Sequence, residues 1–285
     1  MARALVVGEV LWDRFPDSAR LGGAPLNFAV QFQRLGHTAM LVSAVGADAA
    51  GDEAKRTIQH LSLDVTFLQS TARFGTGSAT IRVGSAGQPV FTIDRPAAYD
   101  AVALSDAEFA QISASNPSWI YHGTLFPHCP DGRRTLDRLL RQLPDATRFY
   151  DLNLRPGFDD PVLVADLLRA AHVVKLNDEE MLFVSRLTGL PDDRSRFCRD
   201  GQRRYGWRAV AVTLGERGCS MAVGDDYVEA DGIPVDVVDT VGAGDAFAAA
   251  FVHGLASGWP AARIADAANR AGAAVAAVRG AIPAP

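Results

Sequence analysis

The residues Asp239-Thr240-Val241-Gly242-Ala243-Gly244-Asp245-Ala246-Phe247 combine two glycines, two carboxylates and a hydroxyl within one short run. Ahead of them Val235, Val237 and Val238 read as a short buried strand. Behind them Phe247, Phe251 and Leu255 recur every four residues, the stripe of a helix packed on a sheet. The glycines Gly242 and Gly244, with Ala243, therefore stand at a strand-to-helix turn. The first N–H groups of a helix have no intrahelical partner, and the helix dipole adds partial positive charge there. Such an end attracts an anion, typically phosphate. Asp245 lies on that same end, which favours its ionised form and suits a proton acceptor beside a phosphoryl group. An N-capping Asp in a tight turn would leave the same short string. The chain holds no G-x-x-x-x-G-K-[ST], and Phe247 stands where a dinucleotide fingerprint would carry its third glycine.

Four more polar clusters follow apolar runs. Asp151-Leu152-Asn153-Leu154-Arg155-Pro156 offers an acceptor, an amide and a guanidinium, and Arg155 could hold phosphate oxygens or a sugar hydroxyl. An Asx-turn before Pro156 is the alternative. Asn177-Asp178-Glu179-Glu180 puts Asn177 and Glu180 on one helical face, where Glu180 could serve Mg²⁺ held with nucleotide phosphate. Acidic residues in a first turn also arise from helix-dipole chemistry alone. Thr213-Leu214-Gly215-Glu216-Arg217-Gly218 suits close backbone approach to a nucleotide phosphate, or a plain turn. Gly22-Gly23-Ala24-Pro25-Leu26-Asn27, with Asp13 before it, makes a hydroxyl-binding set for a sugar, or a helix cap and hairpin turn.

These clusters need a frame. Strand-like runs at Ala4–Gly8, Ala39–Val45, Trp119–His122, Arg148–Asp151, Val173–Leu176 and Ala209–Thr213 alternate with helical stretches at Asn27–Leu35, Gly51–Leu61, Asp131–Leu143, Pro161–Ala171, Arg194–Tyr205 and Pro260–Val278. That rhythm predicts an α/β core with a parallel sheet covered on both faces. Ligands then collect beyond the carboxyl ends of the strands, where these clusters fall. One region breaks the rhythm. Ser78–Val83 and Val90–Asp94 alternate with period two about a turn at Gly84–Pro89, which predicts a β-hairpin. With Leu11–Leu21 it would form a small sheet beside the core; an extra antiparallel edge on the main sheet is the alternative. The expected division is a core of residues 1–10, 27–73 and 99–285, and a small sheet of 11–26 and 74–98.

A chain of 285 residues, 48% hydrophobic and 21% charged, can bury a large core, and its formal charge of −5 offers nothing to nucleic acid or an anionic membrane. Apolar runs are broken well short of bilayer length, and the N-terminus enters a strand with no secretory pattern. Cys129, Cys198 and Cys219 fit neither a disulfide framework nor a zinc site, so a cytoplasmic setting is expected.

Taken together, Asp13, Gly22-Gly23-Ala24 with Asn27, the hairpin, Asp-x-Asn-x-Arg, Asn-x-x-Glu, Thr-x-Gly-x-x-Gly and Asp-Thr-x-Gly-Ala-Gly-Asp resemble the ribokinase/PfkB family of sugar kinases over nearly the whole chain. Gly8-Glu9-Val10-Leu11-Trp12-Asp13, Gly22–Ala29 and Phe91-Thr92-Ile93-Asp94 leading to Ala98-Tyr99-Asp100 are similar to the bacterial fructokinase branch. The resemblance implies a ribokinase-like, Rossmann-type core with a β-lid that makes a homodimer, ATP, Mg²⁺ and a stimulating K⁺. It implies Asp245 as catalytic base, with Gly242, Ala243, Gly244 and the Asp245 N–H as an anion hole. Asp13, Gly22, Gly23, Asn27 and Arg155 would line the sugar site. Asn177 and Glu180 would serve the Mg²⁺–phosphate region, Thr213, Gly215 and Gly218 the nucleotide loop, and Asn269 the adenine. Backbone around Asp239, Val241, Val275 and Gly280 would hold K⁺. Pro156-Gly157-Phe158 departs from the Leu-Trp pair common in fructokinases. The implied reaction is fructose to fructose 6-phosphate. The alternatives are a 2-keto-3-deoxygluconate, ribose or nucleoside kinase, and a non-catalytic sugar sensor.

Overall fold

The computed structural model of the chain describes residues 1–15, 18–83 and 89–282. They run as β1 (Arg3–Val7), β2 (Leu11–Phe15), β3 (Ser18–Gly22), α1 (Ala24–Arg34), β4 (Thr38–Gly46), α2 (Ala49–His60), β5 (Leu68–Thr71), β6 (Gly77–Val83), β7 (Pro89–Ile93), α3 (Asp106–Ala114), β8 (Trp119–His122), α4 (Pro130–Gln142), β9 (Thr147–Asp151), α5 (Pro161–Ala170), β10 (Val173–Asn177), α6 (Asp178–Thr188), α7 (Arg194–Tyr205), β11 (Ala209–Thr213), β12 (Cys219–Val223), β13 (Asp226–Ala230), α8 (Ala243–Ala256) and α9 (Ala261–Ala276).

Nine strands form one sheet in the order β13-β12-β11-β10-β9-β8-β1-β4-β5. From β11 to β5 neighbours are parallel, and β12 and β13 add an antiparallel edge. Its central strands are apolar on both faces because both faces are covered. Leu5, Val7 and Val42 meet α3 to α7 through Phe109, Leu136, Leu163, Val184 and Phe197. Ala4, Val6 and Leu41 meet α1, α2, α8 and α9 through Phe28, Ile58, Phe251 and Ile264. The antiparallel edge, β5 and α3 go beyond the elements read from the sequence. β12 and β13 are joined only by Gly224 and Asp225; β12 is buried but interrupted by Ser220, and the polar, partly exposed β13 has no apolar run.

The expected strand at Val235, Val237 and Val238 is absent: residues 231–240 are irregular and these valines are 38%, 59% and 53% exposed. Pro234 lacks a donor for a ladder. The segment instead hands the N–H groups of Val238 and Asp239 to the Ala276 carbonyl at the end of α9, at 2.9 and 3.2 Å.

The small sheet forms apart from the large one, in the order β3-β2-β6-β7. β2 pairs antiparallel with β3 and parallel with β6, and β6 pairs antiparallel with β7. The expected turn falls largely on residues 84–88, outside the described residues. Two polar anchors fix the base of the hairpin. The Asp48 carboxylate caps α2 through Gly51 N (2.8 Å) and also accepts from Thr76 N (2.8 Å) and Thr76 Oγ1 (2.6 Å), just ahead of β6. After β7, Arg95 pairs with Asp100 and donates to the Leu125 carbonyl at 2.9 Å. α1 begins at Ala24, three residues earlier than expected, because Pro25 suits a first helical turn. Asn27 therefore lies in that first turn. The three cysteines carry no disulfide. Among the described residues no helix is long and apolar enough to cross a membrane.

Candidate active site

The first turn of α8 closes over the carboxyl ends of β8, β9 and β10. Its N-cap is Gly242 at φ +83°, where a β-carbon would fall 2.3 Å from Ala281 Cβ, so both conformation and space demand glycine. The helix is pinned below by Phe247 and Phe251, the latter 6.0 Å ring to ring from Phe149 of β9. The Asp245 carboxylate accepts from Asn27 Nδ2 at 2.8 Å, joining α8 to α1. Crowding by protein pushes Asp245 up to about 6; the Asp151 carboxylate raises it further, while the Asn27 hydrogen bond, Lys175 and Arg155 pull it down. This corrects the expectation from the helix end alone. Loss of water is the largest cause at this carboxylate.

Beneath the turn lies an ion pair that the sequence reading did not assign. Lys175 Nζ donates to Asp151 Oδ1 at 2.8 Å, and Tyr121 OH lies 3.3 Å from Asp151 Oδ2. Asp151 is fully buried and Lys175 nearly so. Burial works against the ammonium, yet Asp151, Glu180 and Asp245 outweigh it and the Lys175 pKa goes up. A β-carbon on Gly244 would stand 3.4 Å from Nζ, so the ammonium touches the floor of the helix-end turn. The available signal was a lysine inside an otherwise apolar strand, Val173-Val174-Lys175-Leu176.

The loop after β9 is set by Asn153 at φ +44°, a left-handed position asparagine tolerates, and by Leu154 N donating to Glu180 Oε1 at 2.7 Å. Glu180 Oε2 accepts from Asn177 N at 2.8 Å and Asn177 Oδ1 accepts from Glu180 N at 2.8 Å, a reciprocal cap on α6. Burial raises the Glu180 pKa against Lys175 and these N–H groups. Among the described residues no group of three or more His, Cys, Asp or Glu side chains could hold a metal ion. A buried carboxylate already accepting two backbone N–H bonds fits a divalent ion only through water.

On the small-sheet side, Gly22 is bare because a β-carbon would fall 2.6 Å from Asp13 Oδ2 and 4.0 Å from Asn27 Oδ1. Asp13, Gly22 and Asn27 are thus brought together, with Gly23 capping α1. Asn27 Oδ1 is buried with no hydrogen-bond partner. Burial lifts Asp13 to about 6 and Glu9 to about 7, while Arg155 pulls both down, so its guanidinium acts among Glu9, Asp13 and Asp245. Glu9 was quoted only as part of a motif; its signal is that it is the first charged residue beyond β1.

The remaining expected residues cluster at two further places. Thr213 lies level with Asn177 across the β10–β11 ladder, and Gly215 and Gly218 turn tightly, with Gly218 at φ +93° against the Ala230 carbonyl. The Asn269 amide donates to the carbonyls of Asp231 (3.0 Å) and Ala230 (3.4 Å), so its side chain ties the loop after β13 to α9. The Asp239 carboxylate accepts from Val241 N (3.1 Å), Gly280 N (3.0 Å) and Arg20 Nη1 (3.1 Å). Val275, at the end of α9, accepts at its carbonyl from Val278 N at 3.2 Å.

A family model for pfkB family carbohydrate kinases matches residues 16–285. A fructokinase of Salmonella typhimurium is 30% identical over 269 residues, covering 90% of this chain and 85% of that protein. An aminoimidazole riboside kinase of Salmonella typhimurium strain LT2 is 28% identical, covering 100% and 92%. The crystal structure of a Xylella fastidiosa fructokinase with bound ATP matches at a TM-score of 0.82 and 22% identity, over 98% of this chain and 93% of that one.

The buried pair yields a stability prediction. Lys175→Met leaves Asp151 charged in the interior and should destabilise the fold by about 3–5 kcal/mol. Adding Asp151→Asn should recover most of that loss. Denaturant unfolding of the three proteins checks it, and a Lys175→Met protein as stable as the parent would contradict a buried pair.

Proposed function

The chain belongs to the pfkB family of carbohydrate kinases, and on that premise we propose that it transfers the γ-phosphoryl group of ATP to the primary hydroxyl of a neutral monosaccharide, fructose before others. The observation that carries this reading is the 2.8 Å bond from Asn27 to Asp245. It joins the hydroxyl-binding set of the small-sheet side to the carboxylate of the anion-attracting helix end. A hydroxyl seated by Asp13 and Asn27 would reach Asp245, its proton acceptor, as its oxygen attacks the γ-phosphorus and ADP departs. The backbone of residues 242–245, with Lys175 beneath Gly244, faces the charge on the transferring group. Mg²⁺ arriving with the nucleotide would neutralise phosphate charge, with Glu180 reaching it through water. Thr213, Gly215 and Gly218 would flank the nucleotide. Phosphoryl transfer draws its rate mainly from such positioning and electrostatics.

The proton acceptor must be ionised. With Asp245 near 6, its ionised fraction grows as pH rises, so kcat/KM should climb through about pH 6 and then level off. Asp245→Asn should fold normally and lose roughly 10²–10⁴-fold in turnover, the range for removing a general base. Turnover like the parent's in a folded Asn variant would remove Asp245 from that role.

The substrate reading rests on charge and hydroxyl matching. The Asp245 carboxylate acts against the charge of both Glu9 and Asp13, which disfavours a substrate carboxylate and suits a polyol. The unpaired Asn27 Oδ1 awaits a hydroxyl donor, and a site built for hydroxyls discriminates strongly against substrates that leave it unpaired. Fructose should therefore give a higher kcat/KM than ribose, 2-keto-3-deoxygluconate or adenosine, in initial rates of ADP release at fixed ATP and Mg²⁺. A preference for adenosine would align the chain with the riboside kinase relative, and binding without turnover of any sugar would favour a sensor.

The small sheet is read as a lid over the sugar that also meets a second copy of the chain. β3 and β7 are its edge strands, and unpaired edges invite pairing. Light scattering should give a dimer; a monomer at high concentration would count against this surface.

A further inference from the structure

Asp239 introduces a negative charge into the loop that leads to the anion-attracting turn. The resemblance assigns its compensation to K⁺ held by backbone around Asp239, Val241, Val275 and Gly280, and the structure gathers these residues. The Asp239 carboxylate and the Val275 carbonyl are otherwise engaged. Both Asp239 oxygens already accept backbone N–H groups, from Val241 and Gly280. The Val275 carbonyl accepts from Val278 N, and the neighbouring Ala276 carbonyl accepts from both Val238 N and Asp239 N. A positive charge is already seated there. Arg20 Nη1 lies 3.1 Å from Asp239 Oδ2. Its side chain runs along Gly280, where a β-carbon would stand 3.4 Å from Arg20 Cδ and 3.5 Å from Nη1. The same guanidinium lies 5.0 Å from the Phe15 ring centroid, which steadies it from its own sheet. Arg20 is also the β3 residue directly opposite Asp13 in the β2–β3 ladder.

We infer that the Arg20 guanidinium is the built-in cation of the loop entering α8, and that this chain needs no monovalent metal ion there. The donor set does not fit such an ion while Arg20 is in place. A second cation would face a guanidinium in contact with the only carboxylate offered to it. The pair also ties the sugar-side ladder to the loop that shapes the phosphate side. A metal ion binding to backbone alone would provide no such link. This inference rests on the phosphoryl-transfer reading for its rate measurement, and a thermal measurement carries it independently.

The experiment compares the parent, Arg20→Met and Arg20→Lys in KCl and in choline chloride of equal ionic strength, by sugar-dependent ADP release and by thermal melting. The parent should show the same kcat/KM and Tm in both salts. Arg20→Met should lose about tenfold in kcat/KM in choline chloride, within the range of site-to-site coupling, and regain most of it in KCl. Its Tm should rise in KCl, because an ion that binds only the folded state stabilises it. Arg20→Lys keeps a charge and should stay indifferent to K⁺. A parent activated or stabilised by K⁺ overturns the inference. So does an Arg20→Met protein that behaves like the parent in both salts, or whose losses KCl does not repair. If no sugar is turned over by any variant, the kinase reading fails, while the melting data still decide whether Arg20 fills the cation's place.

Discussion

The site depends on one interior ion pair, Lys175 with Asp151. Parallel strands end together, and a helix N-terminus closes over their ends. That arrangement concentrates partial positive charge above and leaves strand-end polar groups below with little water. Either charge left there without its partner would be costly. Paired at 2.8 Å, Lys175 holds its proton more tightly, and the ammonium stands against Gly244 as a fixed charge for whatever anion the turn receives. Replacing the pair with apolar residues could leave the fold equally stable, so its retention makes sense in terms of the electrostatic field at the turn.

Burial acts in opposite ways on the two sides of that turn. It raises Asp245, Asp13 and Glu9 toward neutrality, and it strengthens each bond that restores their charge. Asn27 and Arg155 do this work. A carboxylate near 6 remains mostly ionised at neutral pH while binding a proton more tightly than an exposed one, which is the property a proton acceptor needs.

Much of this was legible in the sequence because it is local. Buried parallel strands are short apolar runs, and α8 announces itself by Phe247 and Phe251. The glycine and polar clusters fall where those runs stop, which is why Asp13, Asn27, Arg155, Glu180 and Asp245 could be named. Pairing across the chain could not be read. Asn27 meets Asp245 and Arg20 meets Asp239 across more than two hundred residues, and nothing in either neighbourhood encodes its partner. Lys175 and Asp151 sat in plain view, but only strand register shows that they face each other. Val235, Val237 and Val238 misled because Pro234 cannot donate to a ladder and the N–H groups of Val238 and Asp239 go to the Ala276 carbonyl instead. The antiparallel edge was hidden for another reason: β13 is half-exposed and polar, and Ser220 breaks the short apolar run of the buried β12.

The two halves of the site are finished to different degrees. The loop from Asp239 to Asp245 is held from three directions: by Arg20 from the small sheet, by Ala276, Gly280 and Ala281 from the C-terminal segment, and by Lys175 from the large sheet. Glu180 and Asn177 are likewise closed on each other. A surface made in advance in this way would cost little to reorganise if, as proposed, charge shifts against it during phosphoryl transfer. The Asn27 side is left open. Its Oδ1 has no partner, and burial raises the proton affinity of Glu9, Asp13 and Asp245. Hydroxyl donors would satisfy these acceptors. Because Asn27 spends its amide on Asp245, a hydroxyl that satisfied Oδ1 would also fix the orientation of the amide holding that carboxylate. On the proposed reaction, recognition of the sugar and readiness for phosphoryl transfer would pass through the same side chain.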